Sequence, residues 1–344
     1  VSRWRWALVA LSFAATTGIT IYLLRIGFSR PGPHPVLPLW AHVTALLAVL
    51  LEIGIRAVKI HLSAAALRIP LRFGTSLRVC LGGDFAASIT PARSGAEPAR
   101  FLVLAEDGVS AAPALLILFT ELLLETWSLV LLCAVFLMAF HGQGTVLGLM
   151  TAMIGGYAAL VLAAGAGAYA LARRHSRGPP PRLALTVGLH AGRWRTVQRA
   201  LRALRTNLAA LRHAKAAPML GAFVASLLHV GLRLSVLPII GLALDPSLPF
   251  SVLVLWPLVF LYGGAVAPAP GGGGAVEFGF RYAYEDVMAP AVLGGALLWW
   301  RFYTFYLYVL LGGLSVGGTV LKALRTQRHG RLHERAAHRD EAQP

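Results

Sequence analysis

Two short segments of this chain hold the residues whose types and spacing could do chemistry. The first reads Thr90-Pro91-Ala92-Arg93-Ser94-Gly95-Ala96-Glu97-Pro98-Ala99-Arg100, and the second Ala267-Pro268-Ala269-Pro270-Gly271-Gly272-Gly273-Gly274-Ala275-Val276-Glu277-Phe278-Gly279-Phe280-Arg281. In each, proline and glycine stop a helix within apolar sequence, then a carboxylate follows, then an arginine three or four residues on. A guanidinium is a planar fork of donors suited to phosphate, and backbone amides freed at a helix start add further anion-binding donors. Glu121 and Glu125 stand four residues apart, on one helix face. With Glu97 and Glu277 they are expected to line one polar cavity, with Arg93, Arg100, Arg233, Arg281 and Arg301 as the cations available to pair.

The elements that must position these groups are membrane spans. Of 344 residues, 57% are hydrophobic and only 13% charged, whereas soluble domains carry about a quarter charged residues; the mean hydropathy is +0.68. A span needs about 20 apolar residues, and uninterrupted runs cover 6–24, 39–57, 111–140, 145–171, 219–244 and 291–321. The first run follows Arg3 and Arg5 with no small-residue cleavage site before Arg25, which marks a retained helix and not a signal peptide. A carboxylate inside a span costs at least about 2.5–3.5 kcal/mol, so those at Glu52, Glu97, Glu121, Glu125 and Glu277 are expected to face a cavity or a partner. Cys80 and Cys133 form no CxxC pair, and the scattered histidines have no metal-ligand spacing. No cofactor or metal is expected, and no GxxxxGK[ST] accompanies the glycine run.

The net charge of +17 is assigned to cytoplasmic loops and anionic lipid, not to nucleic acid. Residues 173–215 hold eleven basic side chains and no acid, which places them inside the cell. Counting spans outward from that segment puts both termini in the cytoplasm and Asp245-Pro246-Ser247 outside. The motif at 73–108 then enters and leaves from the inside, and the one at 249–290 from the outside. Opposite entry is what an inverted repeat produces, with the binding site near the bilayer midplane. Within the basic segment, Val197, Leu201, Leu204, Leu208 and Leu211 recur at helical spacing, giving an amphipathic helix for the inner leaflet.

At these same residues the chain resembles the lysylphosphatidylglycerol synthase transmembrane-region family of flippase-like membrane proteins. The resemblance runs through Pro91-Ala92-Arg93-Ser94-Gly95-Ala96-Glu97 with Arg100, the acidic helix at Glu121, Pro270 to Gly274 with Glu277, and the Arg301 helix; Ala96, between Gly95 and Glu97, departs from it. It implies a lipid-translocating membrane part rather than the aminoacyl-transfer part, with membrane phospholipids, anionic or aminoacylated, as partners. A homo-oligomer and a separate lipid-modifying synthase are compatible with that role.

The expectation is therefore an all-α polytopic membrane helix bundle with two re-entrant, broken-helix motifs in an inverted pseudo-repeat. Its parts are a first membrane half (1–172), a basic cytoplasmic segment (173–217), a second half (218–325) and a disordered basic tail (326–344), set in the inner membrane. The expected function is non-enzymatic: a lipid flippase in which Arg93, Arg100, Arg281 and Arg301, with the Gly272-Gly273-Gly274 turn, hold phosphate. Glu97, Glu121, Glu125 and Glu277 would meet a cationic head group. A membrane-embedded transferase acting on a lipid-linked substrate, with Glu97 or Glu277 as base, and a solute transporter are the alternatives. Single-cysteine labelling tests the topology: a cysteine at Arg195 should react only from the cytoplasmic side and one at Ser247 only from outside, and external labelling at Arg195 would overturn it.

Overall fold

The computed structural model describes residues 36–90, 92–142, 144–174, 214–263 and 272–316, with isolated positions elsewhere. Most of the first apolar run, nearly all of the basic segment, the tail, Pro91 and residues 264–271 of the second motif lie outside the described residues. Among those described there is no strand. The helices are α1 (Leu39–Ala66), α2 (Phe73–Ile89), α3 (Ala96–Glu106), α4 (Ala111–Ala139), α5 (Gly144–Arg174), α6 (Ala216–Leu244), α7 (Phe250–Gly263), α8 (Ala275–Tyr284) and α9 (Pro290–Arg301). A π-helical turn, Phe302–Tyr306, carries α9 into a last helical stretch at 307–316.

The direction in which residues face identifies the surrounding medium. α1 buries Ala41, Ala45, Ala48, Ala57 and Ala64 while exposing Leu39, Val43, Leu47, Leu50 and Leu51. Small residues inside and large apolar ones outside is the packing of a membrane helix, whose neighbours approach through small side chains while leucines meet lipid. The alanines let α1 pack along α6, which likewise buries the small Ala222, Ala225 and Ser226. α4, α5 and α6 are each long and apolar enough to cross a bilayer. α1, at 28 residues, is about 42 Å long and carries three charges, Glu52, Arg56 and Lys59, from its midpoint onward.

α3 and α8 are different. With 11 and 10 residues they reach only about 16 and 15 Å, roughly half of a 30 Å hydrocarbon core. α3 folds back on α2 across the first break, and α8 packs between α7 and α9 beyond the second. Tyr284 closes that second hairpin, its hydroxyl donating to the carbonyl of Val252 at 3.1 Å. An aromatic cluster reinforces it: Phe260 lies 5.7 Å from both Phe280 and Trp300, and Phe280 stacks on Trp300 at 5.5 Å. The last helical stretch crosses α2 at Gly312, where a Cβ would fall 2.6 Å from the carbonyl oxygen of Leu81. That crossing brings the residues after the π turn against the first motif. Outside the apolar spans, Ser247 donates from its hydroxyl (2.6 Å) and its amide (2.9 Å) to Asp245, holding that carboxyl below its usual range.

Candidate functional site

Charged side chains gather inside the bundle and pair in chains. On α1, Glu52, Arg56 and Lys59 follow one another at helical spacing and are all buried. Arg56 grips Asp84 of α2 in a two-pronged contact, one prong at 3.0 Å, and reaches Glu52 with its Nε at 3.4 Å. Lys59 Nζ sits between Glu121 (3.1 Å) and Glu125 (3.2 Å) of α4. The same Glu121 bonds Arg100 of α3 at 2.8 Å, and Arg100 also meets Glu97 at 3.2 Å. Tyr262 and Tyr308 donate their hydroxyls to Glu125 (3.2 Å) and Glu52 (2.7 Å).

Local backbone devices place these groups. Ala92 and Arg93 both adopt left-handed backbone, with φ of 49° and 54°, a conformation costing roughly 1–2 kcal/mol for a residue with a Cβ. Strain of this kind persists only where the surroundings hold it, and it clusters at functional sites. Gly95 donates its amide to Thr90 Oγ1 at 2.9 Å, closing the turn beneath them. Gly83 clears a path for Arg100, because a Cβ there would lie 2.4 Å from the Arg100 Nε. In the second motif Gly272 and Gly274 have φ of 69° and 82°, the region that glycine alone enters freely. The Gly274 amide is not free for a ligand: it bonds Glu277 Oε2 at 2.8 Å, while Glu277 Oε1 pairs with Arg301 Nε, also at 2.8 Å. The π turn after Arg301 shifts the register of the helix, and Arg301, Thr304, Phe305 and Tyr308 all face one cavity.

That cavity, about 40 Å³ in volume and partly open, is where the two broken motifs meet. Asp84, Ser88 and Arg93 line it from the first motif and its helix, Val276 from the second, with Arg233 of α6 and Arg301 between them. The sequence-chosen residues separate into groups. Arg100, Glu97, Glu121 and Glu125 form one ion-paired chain. Glu277 and Arg301 form a second pair beside the glycine turn, where Gly273 is also buried. Arg93 faces the cavity. Arg281 is half exposed and paired with Glu285 at 3.3 Å, apart from the cavity lining. Asp84, Arg56 and Lys59 were not among the expected site residues. The apolar run at 39–57 stops short of Lys59, whereas the helix continues to Ala66 with both Arg56 and Lys59 buried. The signal lay in the Glu52-x3-Arg56-x2-Lys59 spacing, which puts three charges along one helix face.

Fold and interior together define a multi-pass α-helical membrane protein built around paired charges. The sequence matches the family described as the lysylphosphatidylglycerol synthase TM region over residues 6–312, and the chain belongs to that family. It is also similar to a protein of Archaeoglobus fulgidus described as a UPF0104 membrane protein, 24% identical over 288 residues that cover 81% of this chain and 87% of that one.

The Arg301–Glu277 pair yields a stability test. Arg301→Met leaves the Glu277 carboxylate buried without its partner arginine, which should cost about 3–5 kcal/mol. Adding Glu277→Gln should restore much of the loss, because the amide oxygen still accepts from Gly274. Thermal unfolding of the three proteins in micelles measures this, and equal midpoints for single and double variants would contradict the pairing.

Proposed function

We propose that the protein is a lipid translocase that moves a phospholipid, or a lipid-linked head group, across the inner membrane of the cell. The observation that carries this reading is the meeting of both broken motifs at one charged cavity inside an otherwise apolar bundle. Charge in a membrane interior is expensive and ordinarily marks a pathway or a substrate site. Irregular backbone at membrane depth is tolerated where it lines such a cavity. In this reading the two hairpins are re-entrant, enter from opposite faces and form an inverted pair around the site.

The division of labour follows from charge. Arginines facing the cavity hold the phosphate of the head group. The acid-rich chain of Glu97, Glu121 and Glu125, with three carboxylates against Lys59 and Arg100, suits a cationic part of the same head. The half-exposed Glu97 is the carboxylate a ligand amine would reach first. Where the head carries a net charge, a membrane potential can drive its movement, at about 2.3 kcal/mol per elementary charge per 100 mV.

Reconstitution into sealed vesicles tests the proposal. Protein-containing vesicles should expose a tagged phospholipid to a membrane-impermeant quencher faster than protein-free ones, with the lipid recovered chemically unchanged and a trapped soluble dye retained. No acceleration would refute translocation; a covalently altered lipid would point to a transferase, and dye loss to a solute pathway.

A further inference from the structure

Most cations inside the bundle are already committed. Arg56 is held by Asp84 and Glu52, Lys59 by Glu121 and Glu125, Arg100 by Glu97 and Glu121, and Arg301 by Glu277. Arg93 and Arg233 are the exceptions. Among the described residues neither has a carboxylate within ion-pairing distance, although both line the cavity where the motifs meet. The Nε of Arg233 is buried with no hydrogen-bond partner, and its guanidinium lies over the Tyr308 ring at 5.3 Å. Asp84 shares the cavity, but both its oxygens are engaged by Arg56. Arg93 and Arg233 line the same cavity from different elements, and strained left-handed backbone holds Arg93 there.

Two like charges lining one cavity without a carboxylate of their own cost free energy unless an anion joins them. We infer that Arg93 and Arg233 are the two jaws of a seat for a single phosphate group. Two guanidinium forks present several parallel N–H donors to a tetrahedral oxyanion, a match that an ammonium does not offer. The polar cavity shares Phe260 and Val276 with an apolar groove that also takes in Leu149, Met153, Trp256 and Tyr282. A phosphodiester with an attached acyl chain fits this pairing of polar and apolar spaces better than a free ion. The inference rests on the lipid-handling reading only for the source of the phosphate. The seat excludes Arg281 and needs Arg233, which shows no motif in the sequence.

Equilibrium binding, with no transport step, tests it on the full chain in detergent micelles. The probes are phosphatidylglycerol, diacylglycerol (the same apolar part without phosphate) and inorganic phosphate. Arg93→Gln and Arg233→Gln should each weaken phosphatidylglycerol binding about tenfold or more, leave diacylglycerol unaffected, and leave the ligand-free thermal midpoint equal or higher, because an unpaired charge has been removed. Arg281→Gln should change none of these. Competition by inorganic phosphate would make the seat a general phosphate site, while binding of the lipid alone would assign it to the phosphodiester; both support the seat. Unchanged phosphatidylglycerol binding in the variants, or a lowered midpoint marking the arginines as structural counter-ions, would overturn it. A protein that binds but does not translocate would sink the translocase reading and leave the seat standing.

Discussion

Burying a charge where no water can reach it is the constraint around which this molecule is arranged. Each ion taken out of water carries a penalty of several kcal/mol, recovered only when a partner stands at contact distance with good geometry. The interior meets that condition through shared partners. Glu121 serves both Lys59 and Arg100, and Arg56 serves both Glu52 and Asp84. Because the partners sit on different helices, satisfying them fixes how α1, α2, α3 and α4 lie against one another. A shift of one helix past another would strand a charge.

The irregular backbone follows from the same requirement. A straight span offers its side chains at helical spacing along the full bilayer, and cannot turn an arginine back toward the midplane. The left-handed pair Ala92–Arg93, the tight glycine turn before α8 and the π turn after Arg301 each redirect a side chain toward one cavity. Glycines supply the clearance: Gly83 under Arg100, and Gly312 against the backbone of α2. The cost of burying Arg56, Lys59, Arg100 and Arg301 is offset by ion pairing, whereas Arg93 and Arg233 have no such partner among the described residues, and that is where the proposed phosphate would supply one.

Much of this was readable from the residues. The apolar runs that became α4, α5 and α6 announce themselves by length, and the two proline- and glycine-rich breaks mark where helices stop. Glu121 and Glu125 stood out because acids are rare in such sequence. The ion pairs between helices were not readable, since they join positions 21 to 66 residues apart and depend on how helices lie together. For the same reason Asp84, in a helix with no marked apolar face, gave no sign of its role. Glu277, three residues after a glycine, also fits the local cap it forms.

If the paired charges serve the site and not stability, they are replaceable by apolar groups as far as folding is concerned. The most direct test exchanges the Glu52–Arg56–Asp84 set together for leucine, methionine and leucine, and compares the thermal midpoint with the rate of phospholipid movement in sealed vesicles. The account predicts a midpoint at or above that of the unaltered protein and the loss of translocation. A variant that still translocates at the original rate, or one that unfolds, would contradict it.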